Sequence, residues 1–202
     1  NNRDGFWKRF NFLYDKVKKD STLNVDKIIR GDNPMYVKWG ESHKKVIEII
    51  KCEMKCVRSE ERFIFIKREQ NSKRYIKNFE ETYEMLKEII PKLEIVKLEE
   101  CSFSEQVHMF YNAKVVIGQH GAGLTNLLWS KSDCIIIEID KNKGRPHFEN
   151  LCKYLGKEYY KYDAIQRVLR TMREKMDAEK IVINIDNFKE FCATINLKSK
   201  II

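Results

Sequence analysis

From about residue 62 onward the hydrophobic pattern becomes regular, with short apolar runs alternating with amphipathic segments. Phe63–Ile66, Ile95–Leu98, Val115–Gly118, Cys134–Ile139 and Tyr159–Tyr162 read as strands. Near-continuous apolar runs mark strands covered on both faces. Between them, Phe79, Tyr83, Leu86 and Ile90 recur at helical spacing, as do Phe103, Val107 and Phe110. Asn78 with Glu81, and Ser102 with Glu105, have the spacing of capping boxes. Pro91 stops the first of these helices, and Gly156 closes another over Pro146–Leu155. The run Val115–Gly118 passes through Gly121-Ala122-Gly123 into a helix with Leu124, Leu127, Leu128 and Trp129. Ile181–Ile185 reads as a strand and Asn187–Ile195 as a closing helix. This alternation predicts an α/β fold: a Rossmann-like parallel sheet with helices on both faces and right-handed crossovers.

The first sixty residues read differently. Phe6, Phe10, Leu13 and Val17 predict an amphipathic helix over 3–19, followed by an irregular stretch with turn signals at Gly31-Asp32-Asn33-Pro34. Met35–Trp39 reads as a short strand and Ser42–Cys56 as a helix. Residues 164–180 read as an exposed, charged helix. The expected organisation is a helical segment or linker over 1–60 and a Rossmann-like domain over 61–202. The chain has 202 residues and opens at Asn1, as an excised piece of a longer protein does.

Charge changes the picture modestly. With 39 Lys and Arg against 30 Asp and Glu, the net charge is +9, which favours anionic partners. The positive charge is spread along the chain and no aromatic-basic RNA motif is present, so no nucleic-acid partner is expected. Six cysteines without a C-x-x-C pair read as reduced thiols, and a cytoplasmic location is the simplest expectation. A secretory-pathway lumen is the alternative if an upstream anchor exists. No metal-ligand spacing and no Ser-His-Asp order can be assembled.

In an open parallel sheet, ligands bind outside the carboxyl ends of the strands. That rule selects Arg68 after the first strand, His120 and the turn Gly121-Ala122-Gly123 after the third, and Glu138 and Asp140 at the end of the fourth. Arg74 is close enough in sequence to reach the same edge, and His147 starts the next helix nearby. Uncovered N–H groups at the turn, with two arginines, suit a diphosphate, and Glu138 suits ribose hydroxyls. The bland alternatives are a tight turn that needs small residues, a solvated basic loop around Arg68 and Arg74, and a core partner for Glu138. His43 sits at the start of a helix.

The blocks Lys67-Arg68, Lys73–Asn78, Leu98-Glu99, Ser102–Val107, Asn112–Asn126 and Ile137-Glu138-Ile139, in this order, resemble glycosyltransferase family 61 over about residues 60–163. Pro146-His147-Phe148 looks like a further block of that family. The resemblance implies the donor half of a GT-B architecture and an inverting transfer from a nucleotide sugar, a UDP-sugar, to a glycan or glycoprotein, with no obligatory metal. It implies that Arg68, Arg74, Gln119, His120, Gly121, Ala122, Gly123, Asn126, Glu138 and His147 form the donor site. The acceptor half would lie upstream, so that either the chain is truncated or its first half is unusually small, and an upstream domain or a homo-oligomer is a further expected partner. The base that inversion implies would be His43, Glu41 or His120. The competing reading is a nucleotide-sugar-binding module without catalysis.

Overall fold

A computed structural model describes residues 41–70, 72, 74–141, 146–164 and 180–201. The helix expected over 3–19, the strand Met35–Trp39 and almost all of the exposed helix over 164–180 lie outside the described residues.

The core is one parallel sheet of five strands: β1 (Arg62–Ile66), β2 (Leu93–Val96), β3 (Ala113–Gln119), β4 (Ile135–Asp140) and β5 (Glu158–Asp163). Their spatial order is β2-β1-β3-β4-β5 and every pairing is parallel. The helices are α1 (Glu41–Glu53), α2 (Phe79–Ile89), α3 (Phe103–Tyr111), α4 (His147–Leu155), α5 (Ile185–Thr194) and α6 (Leu197–Lys200). The arrangement is the Rossmann-like α/β fold that the alternation predicts. β3 and β4 are buried almost throughout, whereas β2 and β5 at the edges carry exposed positions. That contrast explains why the central strands read as apolar runs.

Alternate residues of each strand feed two cores. Ile64, Val116 and Ile136 pack with Ile47 and Ile50 of α1, Phe110 of α3 and Leu151 of α4. Phe65, Ile117 and Ile137 pack with Leu86 of α2 and Phe188 of α5 on the other face. The loop after β1 therefore leaves toward the α2 face, and the segment after β3 toward the α3 face. Their divergence at the carboxyl ends of β1 and β3 makes a crevice, the switch point at which such sheets bind ligands.

Four local expectations need correction. Strand β2 runs over Leu93–Val96, because its register follows β1, which ends opposite Val96 at Ile66; Leu98 opens a 3-10 turn instead. The segment after Gly121 is a 3-10 helix over Ala122–Leu128. Leu124 and Leu127 are buried and three residues apart, which matches the three-residue turn of that helix. Asn78 does not cap α2 with its side chain; its amide exchanges two hydrogen bonds with the backbone of Ile183, at 2.9 and 3.0 Å. Ser102 and Glu105 do form their capping box. Ile181 makes a single parallel bridge to Ile76 rather than starting a strand, and Ile185 already begins α5. Alternating burial of Ile181, Val182 and Ile183 mimics a strand, but the partner is a loop.

All six cysteines are free thiols, three of them buried. Among the described residues no helix is long and apolar enough to cross a membrane.

Candidate functional site

The crevice at the ends of β1 and β3 gathers most of the residues selected from the sequence. Gly121 is the contact point of the two arginines. A Cβ added there would stand 2.7 Å from Arg68 Nη1 and 3.7 Å from Arg74 Nη1. The missing side chain thus admits a guanidinium close to the turn. Arg74 Nη1 donates to the carbonyl of His120, reaching across the crevice from the β1 side, and its backbone is left-handed at φ 63°. Such a conformation costs a non-glycine residue on the order of 1 kcal/mol.

Two like charges are held side by side here. Burial, and then the charge of Arg74, lower the pKa of Arg68 below its ordinary value, with Glu99 offsetting part of the effect. Among the described residues no carboxylate pairs with either guanidinium. Two guanidiniums side by side, with Glu99 offsetting only part of their charge, favour an anionic partner. The seven-residue 3-10 helix lacks the aligned dipoles of a long α-helix, so the arginines rather than the helix start supply the attraction.

Behind the turn lies a buried acid. Glu138 is 1 % exposed, and as a carboxylate it accepts from His120 Nδ1 and, at 2.5 Å, from the Tyr159 hydroxyl. Burial first, and then this bond, push the tyrosine pKa far up, so the phenol stays protonated. An ionised carboxylate can only accept, so His120 donates to it from Nδ1, and Nε2 is the ring nitrogen outside this pair. The His120 ring packs edge-on against Phe148 at 5.3 Å and lies 6.1 Å from His147, measured between centroids. Asp140, two residues after Glu138 on the same face, forms an ion pair with Lys161 at 3.4 Å.

His120, Glu138 and Asp140 offer ligand atoms within 4.8 Å of one another. They are already knit together: Glu138 holds His120 and Tyr159, and the Lys161 ammonium faces Asp140. A cation would have to displace those partners.

Other expected residues are placed differently. Asn126 is engaged inside the 3-10 segment, donating to Gln106 Oε1 at 2.9 Å and accepting from Trp129 Nε1 at 3.1 Å. Gly123 is small for packing, since a Cβ there would stand 2.8 Å from Leu98 Cδ1. Ala122 is exposed at the start of that helix. His43 lies in the first turn of α1, and its side chain is outside the described residues. Gln119, the last residue of β3, is buried with its amide unbonded among the described residues. Tyr159 was missed. The signal was available: a buried glutamate needs a partner, and the same-face residues of the next strand flank it, with Lys161 opposite Glu138 and Tyr159 one pleat before.

Comparison with known proteins decides the family. The sequence profile of Glycosyltransferase 61 matches residues 7–137, well over half of the chain. The chain belongs to glycosyltransferase family 61. It is 41% identical over 64 residues to a beta-1,2-xylosyltransferase of Arabidopsis thaliana, covering 31% of this chain and 12% of that protein. It is 33% identical over 63 residues to an EGF domain-specific O-linked N-acetylglucosamine transferase of Gallus gallus, again 31% and 12%. The matched segment thus spans about an eighth of the length of these relatives.

Proposed function

We propose that this family 61 chain supplies the donor-binding half of a GT-B-type glycosyltransferase. It holds a nucleotide sugar, preferentially a UDP-sugar, and the sugar passes with inversion to a hydroxyl of a glycan or glycoprotein. The observation that carries this reading is the pair of guanidiniums, Arg68 and Arg74, held against Gly121 at the switch point with no carboxylate ion pair among the described residues. The names of the relatives, a xylosyltransferase and an N-acetylglucosamine transferase, support sugar transfer.

The chemistry balances with the residues at hand. The acceptor hydroxyl attacks the anomeric carbon from the face opposite the diphosphate. The bond from that carbon to the phosphate oxygen breaks, and its electron pair leaves with the diphosphate. Arg68 and Arg74 neutralise the leaving charge, so the step as proposed needs no metal. The acceptor proton goes to His120 Nε2, whose Nδ1 proton is held by Glu138. A ribose contact by Glu138 is less favoured by its surroundings, because both carboxylate oxygens already have protein partners. The acceptor surface is assigned to an upstream domain or a second copy.

Calorimetric titration with a panel of nucleotide sugars and free nucleotides tests the reading. Binding of UDP and at least one UDP-sugar, lost when Arg68 is replaced by alanine, is expected. Binding without any transfer or hydrolysis would leave a nucleotide-sugar-binding module as the better description. No binding of any nucleotide would overturn the proposal.

A further inference from the structure

Gln119 is 4 % exposed, yet neither Nε2 nor Oε1 of its amide has a hydrogen-bond partner among the described residues. Buried polar groups are almost always paired, and leaving an amide unpaired costs stability. A methionine of nearly the same shape would fill this position without that cost. The glutamine sits at the last position of β3, at the switch point. Its alternation with Gly118 puts it on the α2 face, with Ile117 and Ile139. That is the side from which the β1 loop brings Arg74 onto His120, the next residue.

We propose that the Gln119 amide is the contact for the nucleobase edge of the bound nucleotide. The inference rests on the nucleotide-sugar reading above and adds the determinant for the base. A glutamine amide presents a donor and an acceptor side by side. Its complement is a group with an acceptor and a donor in cis, as on the imide edge of uracil. Side-chain amides read base edges in this bidentate way in other settings. The trans N-acetyl amide of a sugar offers its N–H and C=O in opposite directions and cannot satisfy both atoms at once. In the free protein Arg74 donates to the neutral carbonyl of His120, the residue after Gln119. A diphosphate is a stronger partner for a guanidinium. When Arg74 moves to it, that carbonyl next to Gln119 is released and the base enters.

The test compares wild type with Gln119→Met and Gln119→Leu, titrating UDP and inorganic pyrophosphate and recording melting temperatures of the free proteins. Gln119→Met is expected to keep its pyrophosphate affinity and to lose about tenfold in UDP affinity. Its melting temperature without ligand is expected to rise by roughly 2–4 °C, since an unpaired amide is removed. Unchanged UDP affinity in both variants with a lowered melting temperature would overturn the proposal, because the amide then has a protein or water partner in the free molecule. A parallel loss of UDP and pyrophosphate affinity would also overturn it, placing Gln119 at the phosphates. Should wild type bind neither ligand, the nucleotide reading itself falls.

Discussion

Replacing Arg68 by alanine separates binding from stability. In the free protein the Arg68 guanidinium is half-buried beside Arg74 and lacks a carboxylate partner among the described residues. Removing it takes away a repulsion and a desolvation cost, so the free variant should melt no lower than wild type. In the complex the same guanidinium makes a charge-assisted hydrogen bond, a contribution of about 1.5–3 kcal/mol. UDP affinity should therefore fall by roughly 10- to 150-fold. At 100 Kd, a ligand stabilises the wild type by about 2.7 kcal/mol, a melting shift of roughly 5–11 °C for a chain of this size. With Kd raised about 30-fold at the same UDP concentration, the ligand contributes about 0.9 kcal/mol, and the shift shrinks to roughly 2–4 °C. Thermal melts with and without UDP, checked by calorimetry, read both quantities. A variant that melts lower without ligand yet keeps the full UDP shift would refute the reasoning and make Arg68 a structural residue.

Four further substitutions discriminate roles. Gly121→Val should abolish UDP binding, because its Cβ meets the end of the Arg68 side chain at 2.7 Å, and should also cost some stability, because the backbone there at φ 159° rarely carries a side chain; Gly118→Val should destabilise through packing, since its Cβ meets Ile66 at 3.0 Å and Leu124 at 3.3 Å within the core. Retained UDP affinity in a folded Gly121→Val protein counts against the site. Glu138→Gln should lower transfer or donor hydrolysis by roughly 10- to 150-fold, through one lost charge-assisted bond, while UDP affinity stays within about threefold. Parallel losses of uridine and UDP affinity would instead make Glu138 a ribose ligand. Lys157 is buried, donates to the carbonyls of Ser130 and Lys131 at 2.6 and 2.7 Å, and has its pKa lowered by burial from 10.5 to about 8. Between those values the unfolded chain binds more protons, so the penalty is full below pH 8 and disappears as pH rises toward 10.5. Relative to Lys157→Met, wild-type stability should rise by about 1.4 kcal/mol per pH unit in that window, measured by denaturant unfolding. Parallel pH curves for the two proteins would contradict the lowered pKa.

The parts of the fold legible in the sequence are those fixed by local pattern. Central strands β3 and β4 announce themselves because both faces are covered, and Ser102 with Glu105 caps α3 because that motif is complete within four residues. What depends on a distant partner was not legible. The limits of β2 follow the end of β1, and the amide of Asn78 pairs with the backbone of Ile183, 105 residues away, and with the Glu81 carboxylate instead of capping the α2 backbone. The same distinction runs through the site. The sheet-edge rule locates Arg68, Gly121, His120 and Glu138, since it needs only the strand ends. Tyr159 required the β4–β5 register, and the reach of Arg74 to His120 required the path of the β1 loop. Asn126 sits in the most specific block of the sequence, yet its amide is occupied by Gln106 and Trp129.

A crystal structure of the protein with UDP tests the central claim most directly. The account predicts diphosphate oxygens within hydrogen-bond distance of the Arg68 and Arg74 guanidiniums, above Gly121, with Arg74 released from the His120 carbonyl. UDP ordered away from the β1–β3 crevice, or both guanidiniums still in their ligand-free positions with UDP bound, would contradict it.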